Sequence, residues 1–172
     1  MYDGETHQFK HLWQAKDGTL QSYSVRTIQM LFPLLLSNLP PEALSEILRL
    51  LHDPNEFGTQ YMIPTVSKAE KEYNPIANTL LLWRGPVWGF TNWFVLRGLE
   101  KHGQLYFSLL ARLMSRDFAK EIVGKWIEMV EKSGIWEHYN PDTGVGYGAE
   151  GLGMSCLIVD FLVRYGIAQV PK

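Results

Sequence analysis

Two short segments hold the residue types that do chemistry. Residues 83–88 read Trp-Arg-Gly-Pro-Val-Trp, and residues 137–144 read Glu-His-Tyr-Asn-Pro-Asp-Thr-Gly. The first sets two indoles and a guanidinium about a rigid Gly-Pro turn. Indole faces stack on the apolar C–H faces of a polar ring, and a guanidinium offers a planar fork of donors. The second segment places Glu137 just past a helix end, between Trp136 and Tyr139. A carboxylate in a partly apolar, partly hydrogen-bonded wall suits a general base that holds a water. Together the segments describe a carbohydrate site with a carboxylate in it.

Plainer readings stay open at this point. Glu137 also fits a solvated loop glutamate. Arg84, at the mouth of a helix, could hold a sugar hydroxyl or a substrate carboxylate, orient the catalytic carboxylate, or make a structural salt bridge. Trp83, Trp88 and Trp93 recur every five residues, which does not keep one helical face. At most two of them share a pocket, and Trp83 with Trp88 is the expected pair. Asp142 sits in a turn signature, Asn140-Pro-Asp-Thr-Gly144. Asp160, inside an apolar run, reads as a buried capping or pairing group. Ser67, Ser155 and Cys156 lack any partner pattern for nucleophilic catalysis. The histidines show no zinc spacing, and His138 and Glu137 are neighbours whose side chains point apart. The glycines from 144 to 153 lack the preceding strand of a phosphate-cradling loop. No metal and no cofactor are expected.

The elements that must position these residues are mostly helical. Ser24 reads as an N-cap, with Val25, Ile28, Leu31, Phe32, Leu35 and Leu36 following at helical spacing and Pro33 crowding the helix. Pro40-Pro41 starts a second helix over about 41–52, with Leu44, Ile47, Leu48 and Leu51 on one face. Residues 53–82 are irregular, a length that in a compact domain tends to be functional. A third helix is expected from near Pro86 to about Lys101, stopped by His102-Gly103. A long one over about 104–132 follows, with Leu109, Leu113, Ile122, Trp126, Ile127 and Val130 as its apolar set and Gly134 as C-cap. Residues 135–151 read as a glycine-rich loop, and 152–165 as the last helix. Residues 1–23 read as a peripheral loop or small β-hairpin. The prediction is a single all-α domain over 1–172, an array of α-hairpins with two long loops on one rim.

Composition bounds the rest. A hydrophobic fraction of 46% with 20% charged residues is globular. A net charge of -2 argues against a polyanion, so nucleic acid is not an expected partner. No apolar run approaches the length of a membrane span. The single cysteine excludes an intrachain disulfide, and with a polar N-terminus it leads to the expectation of a cytoplasmic protein. Core packing accounts for some of the six tryptophans, but not for three within eleven residues beside an arginine.

Four stretches resemble a known family. They are Thr27 to Leu36, Phe57-Gly-Thr-Gln-Tyr-Met-Ile-Pro-Thr-Val-Ser67, Trp83 to Trp88 with Asn92-Trp93, and Trp136-Glu-His-Tyr-Asn-Pro-Asp-Thr-Gly144. In order and spacing they are similar to the C-terminal part of a family 63 glycoside hydrolase. That group includes α-glucosidases, mannosyl-oligosaccharide glucosidases and mannosylglycerate hydrolases, and is related to trehalases. The resemblance implies part of an (α/α)6 toroid of six helical hairpins and an inverting α-glycosidase mechanism. It implies Glu137 as general base. It implies Trp83, Arg84, Gly85, Trp88, Asn92, Tyr139 and Tyr147 as substrate contacts, with an oligosaccharide or glycoside as substrate. The family's general acid is an aspartate in a Trp-Asp pair upstream of the Phe-Pro-Leu-Leu helix, and no Trp-Asp pair occurs in this sequence. The chain is therefore expected to be inactive in isolation. It should form a homodimer or associate with the missing N-terminal portion. The alternative is a sugar-binding or scaffold fragment. Met154 stands where the family usually has an aromatic residue.

Overall fold

The structure of the chain is a computed structural model that describes residues 1–76, 82–105 and 109–165. Four α-helices carry it: α1 (Pro41–His52), α2 (Gly89–Leu105), α3 (Leu109–Ser133) and α4 (Ile158–Arg164). Two 3-10 segments, Ile28–Leu35 and Gly153–Leu157, pack among them. The strands form three separate antiparallel hairpins: β1 (Tyr2–Asp3) with β2 (Gln8–Phe9), β3 (His11–Gln14) with β4 (Leu20–Tyr23), and β5 (Trp136–Tyr139) with β6 (Gly146–Glu150). The core is helical, and the sheets are small and peripheral to it, so the fold is mainly rather than wholly α.

The core forms where α2 lies on α3 and on the first 3-10 segment. Val95, Leu96 and Leu99 of α2 meet Ile28, Leu31 and Leu34 on one side and Ile122, Val123 and Trp126 on the other. Helix α1 adds Leu44, Ile47 and Leu51. Its ends follow simple electrostatics: proline at the first position, Glu42 in the first turn, Arg49 and His52 in the last.

Local structure departs from the periodicity reading in four places. The helix expected from Ser24 begins at Ile28 and is 3-10. Arg26 Nε donates to Glu70 at 2.7 Å, its guanidinium also pairs with Glu56, and Thr27 is extended and bridges Val66. These contacts hold residues 25–27 against the 53–76 loop. Pro33, which cannot donate, favours the tighter i→i+3 pattern, closed by Leu36 N–H to Pro33 O at 2.8 Å. Helix α2 starts at Gly89, not near Pro86, because Val87 is paired with Tyr139. It also runs through His102-Gly103, where the fully buried His102 packs against the Leu34–Leu36 backbone. The 135–151 segment is a hairpin rather than a loop. The 152–165 helix is split into the second 3-10 segment and α4. Residues 77–81 of the expected 53–82 loop, and the side chains of Leu109 and Leu113, lie outside the described ones.

Candidate active site

The β5–β6 hairpin is built from its turn outwards. Asn140 Oδ1 accepts from the N–H groups of Asp142 (2.9 Å) and Thr143 (3.0 Å), and Gly144 N–H returns to Asn140 O at 2.8 Å. The side chain thus closes the turn that the Asn-Pro-Asp-Thr-Gly signature calls for. The ladder is then interrupted. Trp136 pairs with Glu150 and His138 with Tyr147, so Gly148 and Ala149 together face Glu137. Gly148 has φ +80, the left-handed conformation of a bulge that opens on glycine. Ala149 N–H, displaced from the ladder, donates to Glu137 Oε2 at 3.0 Å. A side-chain carbon at Gly148 would overlap that same oxygen and lie 2.9 Å from Glu137 Cβ. The bulge therefore aims the carboxylate and leaves room for it.

The Trp-Arg-Gly-Pro-Val-Trp segment is bolted to this hairpin. Val87 and Tyr139 exchange backbone bonds of 2.8 and 3.0 Å. Thr65 Oγ1 accepts from Gly85 N–H at 3.0 Å and donates to Pro86 O at 3.1 Å, which fixes the Gly-Pro turn. Gly85 has φ +129, and a side chain there would meet the Tyr73 ring at 3.0 Å, so only glycine fits. Tyr73 in turn donates to Asp142 Oδ2 at 3.0 Å, while Lys68 Nζ lies 2.7 Å from Asp142 Oδ1. Burial, then the Asp142 charge, raise the Tyr73 hydroxyl pKa well above its ordinary value. Asp142 thus clasps the 53–76 loop to the turn between β5 and β6.

Three rings form a stack on this frame. Trp83 and Trp88 lie face to face, 4.5 Å between centroids and 6° between planes. His138 stacks on Trp88 at 5.1 Å and 18°. Tyr147 tilts onto His138 at 6.2 Å, and Phe90 meets both indoles edge-on at 5.9 Å. Exposure grades along the stack: Trp83 is 48% exposed, Trp88 4% and His138 1%. Trp88 Nε1 donates to Leu82 O at 2.9 Å. The outermost indole is therefore a flat, solvent-facing plate with rigid backing. Among the described residues neither nitrogen of His138 has a hydrogen-bond partner. A protonated ring would gain up to about 2 kcal/mol from the indole face. A buried ion lacking acceptors loses several kcal/mol of hydration. Burial wins and holds the His138 pKa below its ordinary value, with the Glu137 charge opposing it.

The other expected contacts sort by burial. Arg84 is exposed on the Gly-Pro turn, and its guanidinium has no ion-pair partner among the described residues. Asn92 is fully buried: its Oδ1 accepts from Ile63 N–H at 2.8 Å and its Nδ2 donates to Ile63 O at 2.9 Å and Trp88 O at 3.1 Å. Tyr139 is fully buried too, accepting from Trp136 N–H at 2.8 Å and donating to Gly134 O at 2.9 Å. Both position the segments rather than face solvent. Trp93 lies apart, donating to Asp160 Oδ2 at 2.9 Å with Arg97 over its ring. Asp160, part-exposed rather than buried, also binds Arg164 at 2.8 Å. The Met154 segment abuts both halves: Ser155 donates to Trp136 O, and Met154 O would contact a side chain at Gly89. Thr65, His138 and Ala149 were not on the expected list. Ala149 acts through its backbone N–H and Thr65 through a hydroxyl bonded to distant backbone, neither of which a residue pattern reports. Among the described residues no group of three or more His, Cys, Asp or Glu could hold a metal ion, and no helix is long and apolar enough to cross a membrane.

Comparison with known proteins places this geometry in context. The family model for a mannosylglycerate hydrolase MGH1-like glycoside hydrolase domain matches residues 1–155. The mannosylglycerate hydrolase of Thermus thermophilus is 32% identical over 105 residues, covering 61% of this chain and 22% of that protein. A probable mannosyl-oligosaccharide glucosidase of Schizosaccharomyces pombe is 29% identical over 142 residues, covering 77% of this chain and 17% of that one. The chain thus spans about a fifth of the length of these curated relatives. In fold it resembles the crystal structure of the GH63 mannosylglycerate hydrolase from Thermus thermophilus in complex with Tris. That match has a TM-score of 0.75 at 24% identity and covers 95% of this chain and 35% of that one.

Proposed function

Because the chain belongs to the mannosylglycerate hydrolase MGH1-like glycoside hydrolase family, we propose that it supplies the water-activating half of an inverting α-glycosidase site. Glu137 is the general base and Trp83 the sugar platform. The observation that carries this reading is the Glu137 carboxylate, held at Oε2 by the Ala149 N–H on the hairpin that backs the indole stack. Oε1 then takes the proton from a water attacking the anomeric carbon, on the face opposite the leaving oxygen. Arg84 donates to sugar hydroxyls, and Trp83 covers an apolar ring face. Gly85, Asn92 and Tyr139 hold the contact segments, and Tyr147 closes the stack from β6. The substrate class is an oligosaccharide or glycoside, as the names of the relatives suggest.

Inversion also needs an acid, roughly 6.5–9.5 Å from the base. Asp142 is tied to Lys68 and Tyr73. Burial raises the Asp160 pKa, but the Trp93 N–H and the Arg164 guanidinium outweigh it and keep the carboxyl below its ordinary value. Both Asp142 oxygens are thus already engaged, and Asp160, its pKa lowered, is not suited to give up a proton at neutral pH. The acid is therefore expected from family sequence that this chain does not contain, as part of an (α/α)6 toroid. The exposed β3–β4 hairpin carries Leu12 and Leu20 on one face and Trp13 and Tyr23 on the other, so either face could meet such a partner or a second copy. Engagement of both aspartates also favours a second reading, a sugar-binding part without turnover.

The purified chain separates them. Losing one acid–base group removes roughly 10²–10⁴-fold in rate. Hydrolysis of a natural disaccharide should be near zero. A glycosyl fluoride, whose leaving group needs little protonation, should be cleaved slowly, and Glu137→Gln should abolish that cleavage. Turnover that survives Glu137→Gln would remove the base assignment, and glucose binding without turnover on the fluoride would select the second reading.

A further inference from the structure

We infer that His138 is a positioning residue that must be neutral: behind Trp88 it holds the Trp83–Trp88 pair flat against the β5–β6 hairpin, and gaining a proton releases the pair. The inference rests on the sugar-platform reading for its functional meaning, but its geometry is independent of it.

The stack has one free end and one anchored end. Trp83 is half-exposed, and its backing contacts are Trp88 and the edge of Phe90. Trp88 is fixed by its bond to Leu82 O on one side and by the His138 face on the other. His138 is itself confined. Tyr147 lies against it, and a side-chain carbon at Gly148 would reach its Cε1 at 3.0 Å. The order of a sugar-facing plate is thus set by a ring two layers below it.

That ring is titratable, and among the described residues both its nitrogens are buried without a hydrogen-bond partner. The groups around it are few. On its own strand Glu137 is the neighbouring charge, and its carboxylate is turned to Ala149 N–H. From β6 comes the Tyr147 phenol. From the 83–88 segment come indoles, with Arg84 exposed on the turn. From the 3-10 segment beside β5, the one titratable group is Cys156, which is exposed and acts on Tyr139. No carboxylate is placed to hydrogen-bond an imidazolium. A protonated His138 must therefore reach water, and it can do so only by leaving the Trp88 face. Glu137, one residue away on the same strand, is disturbed by the same movement.

The test follows the indoles rather than turnover. The indole N–H resonances of Trp83 and Trp88 are recorded by two-dimensional NMR between pH 8 and pH 5, alongside the His138 ring protons. The expected result is a step in both indole signals that shares its midpoint with His138 and lies below the ordinary imidazole value of about 6.5. The step should vanish in His138→Phe, which keeps a flat ring but cannot titrate. His138→Gln serves if the phenylalanine variant folds poorly. Binding of D-glucose, read by tryptophan fluorescence, should weaken at least tenfold across the step in the native chain and stay level in the non-titrating variants. Indole signals that ignore the His138 titration, or a step that persists in both variants, would overturn the inference. A step that disappears in the variants while glucose fails to bind at every pH supports the positioning role and sinks the sugar reading instead.

Discussion

Replacing Gly148 by alanine should be among the most damaging small changes on the surface of this chain. Two effects act together. The backbone stands at φ +80, where an L side chain costs about 1–2 kcal/mol. The new methyl also overlaps Glu137 Oε2 and sits 2.9 Å from Glu137 Cβ. The carboxylate must swing away, forfeiting the Ala149 bond, a net loss of about 0.5–1.5 kcal/mol. The sum is about 1.5–3.5 kcal/mol, which for a domain of this size lowers Tm by roughly 3–14 °C. Gly151→Ala is the matched control, because Gly151 has φ +73 and nothing within 4 Å of an added carbon. It should show the backbone penalty alone. Thermal unfolding followed by circular dichroism compares the two. Equal losses in Tm would mean that Glu137 is not seated against the bulge, and the basis for its aim would be gone.

Asn92→Ala should cost about 2–4 kcal/mol in urea unfolding, since it orphans the buried Ile63 N–H and C=O at about 1–3 kcal/mol each. A loss below 1 kcal/mol would show that water replaces the amide. Arg26→Ala should cost about 3–5 kcal/mol by stranding the buried Glu56 carboxylate. Adding Glu56→Gln should recover part of that loss. Stability should also fall on mild acidification. Burial holds the His138 pKa below its unfolded value, so its contribution is full above about pH 6.5. It declines as pH drops toward the folded pKa, because the unfolded chain binds the proton first. The slope in that window is at most about 1.4 kcal/mol per pH unit from this group, and His138→Phe should reduce the total, leaving the like contributions of His11 and His102.

Helices with a clean apolar face were legible in the sequence. Helix α1, opened by Pro40-Pro41 and ended at Asp53, was expected over about 41–52 because Leu44, Ile47, Leu48 and Leu51 repeat at helical spacing, and it spans Pro41–His52. The stacked pair was legible too, since five-residue spacing excludes a shared helical face and leaves Trp83 and Trp88 on a turn. The β5–β6 hairpin was not read, although aromatic Trp136–Tyr139 before a glycine-bearing turn is a hairpin pattern. Its partner strand, Gly146–Glu150, is half glycine and alanine, and carries no β signal of its own. It exists because Tyr139 is also paired to Val87, a contact that local pattern does not encode. The same holds for the 3-10 start at Ile28, imposed by Arg26 reaching Glu56 and Glu70. Asn92 and Tyr139 were expected as contacts from the family resemblance. Burial gives both to the backbone instead.

The Asp142 clasp has a kinetic meaning. Lys68 and Asp142 stand 74 residues apart in the chain, and Tyr73 and Asp142 stand 69 apart. Contacts of such separation close late, because the loop entropy between them must be surrendered before they return any enthalpy. Helices α2 and α3, lying between the two partners, can form beforehand from local contacts alone. The rim that carries Trp83 and Glu137 is thus expected to assemble last and to part first under denaturant. A chain stalled one step short of the native state would already hold its helical core, yet still have Trp83 and Glu137 on unjoined arms.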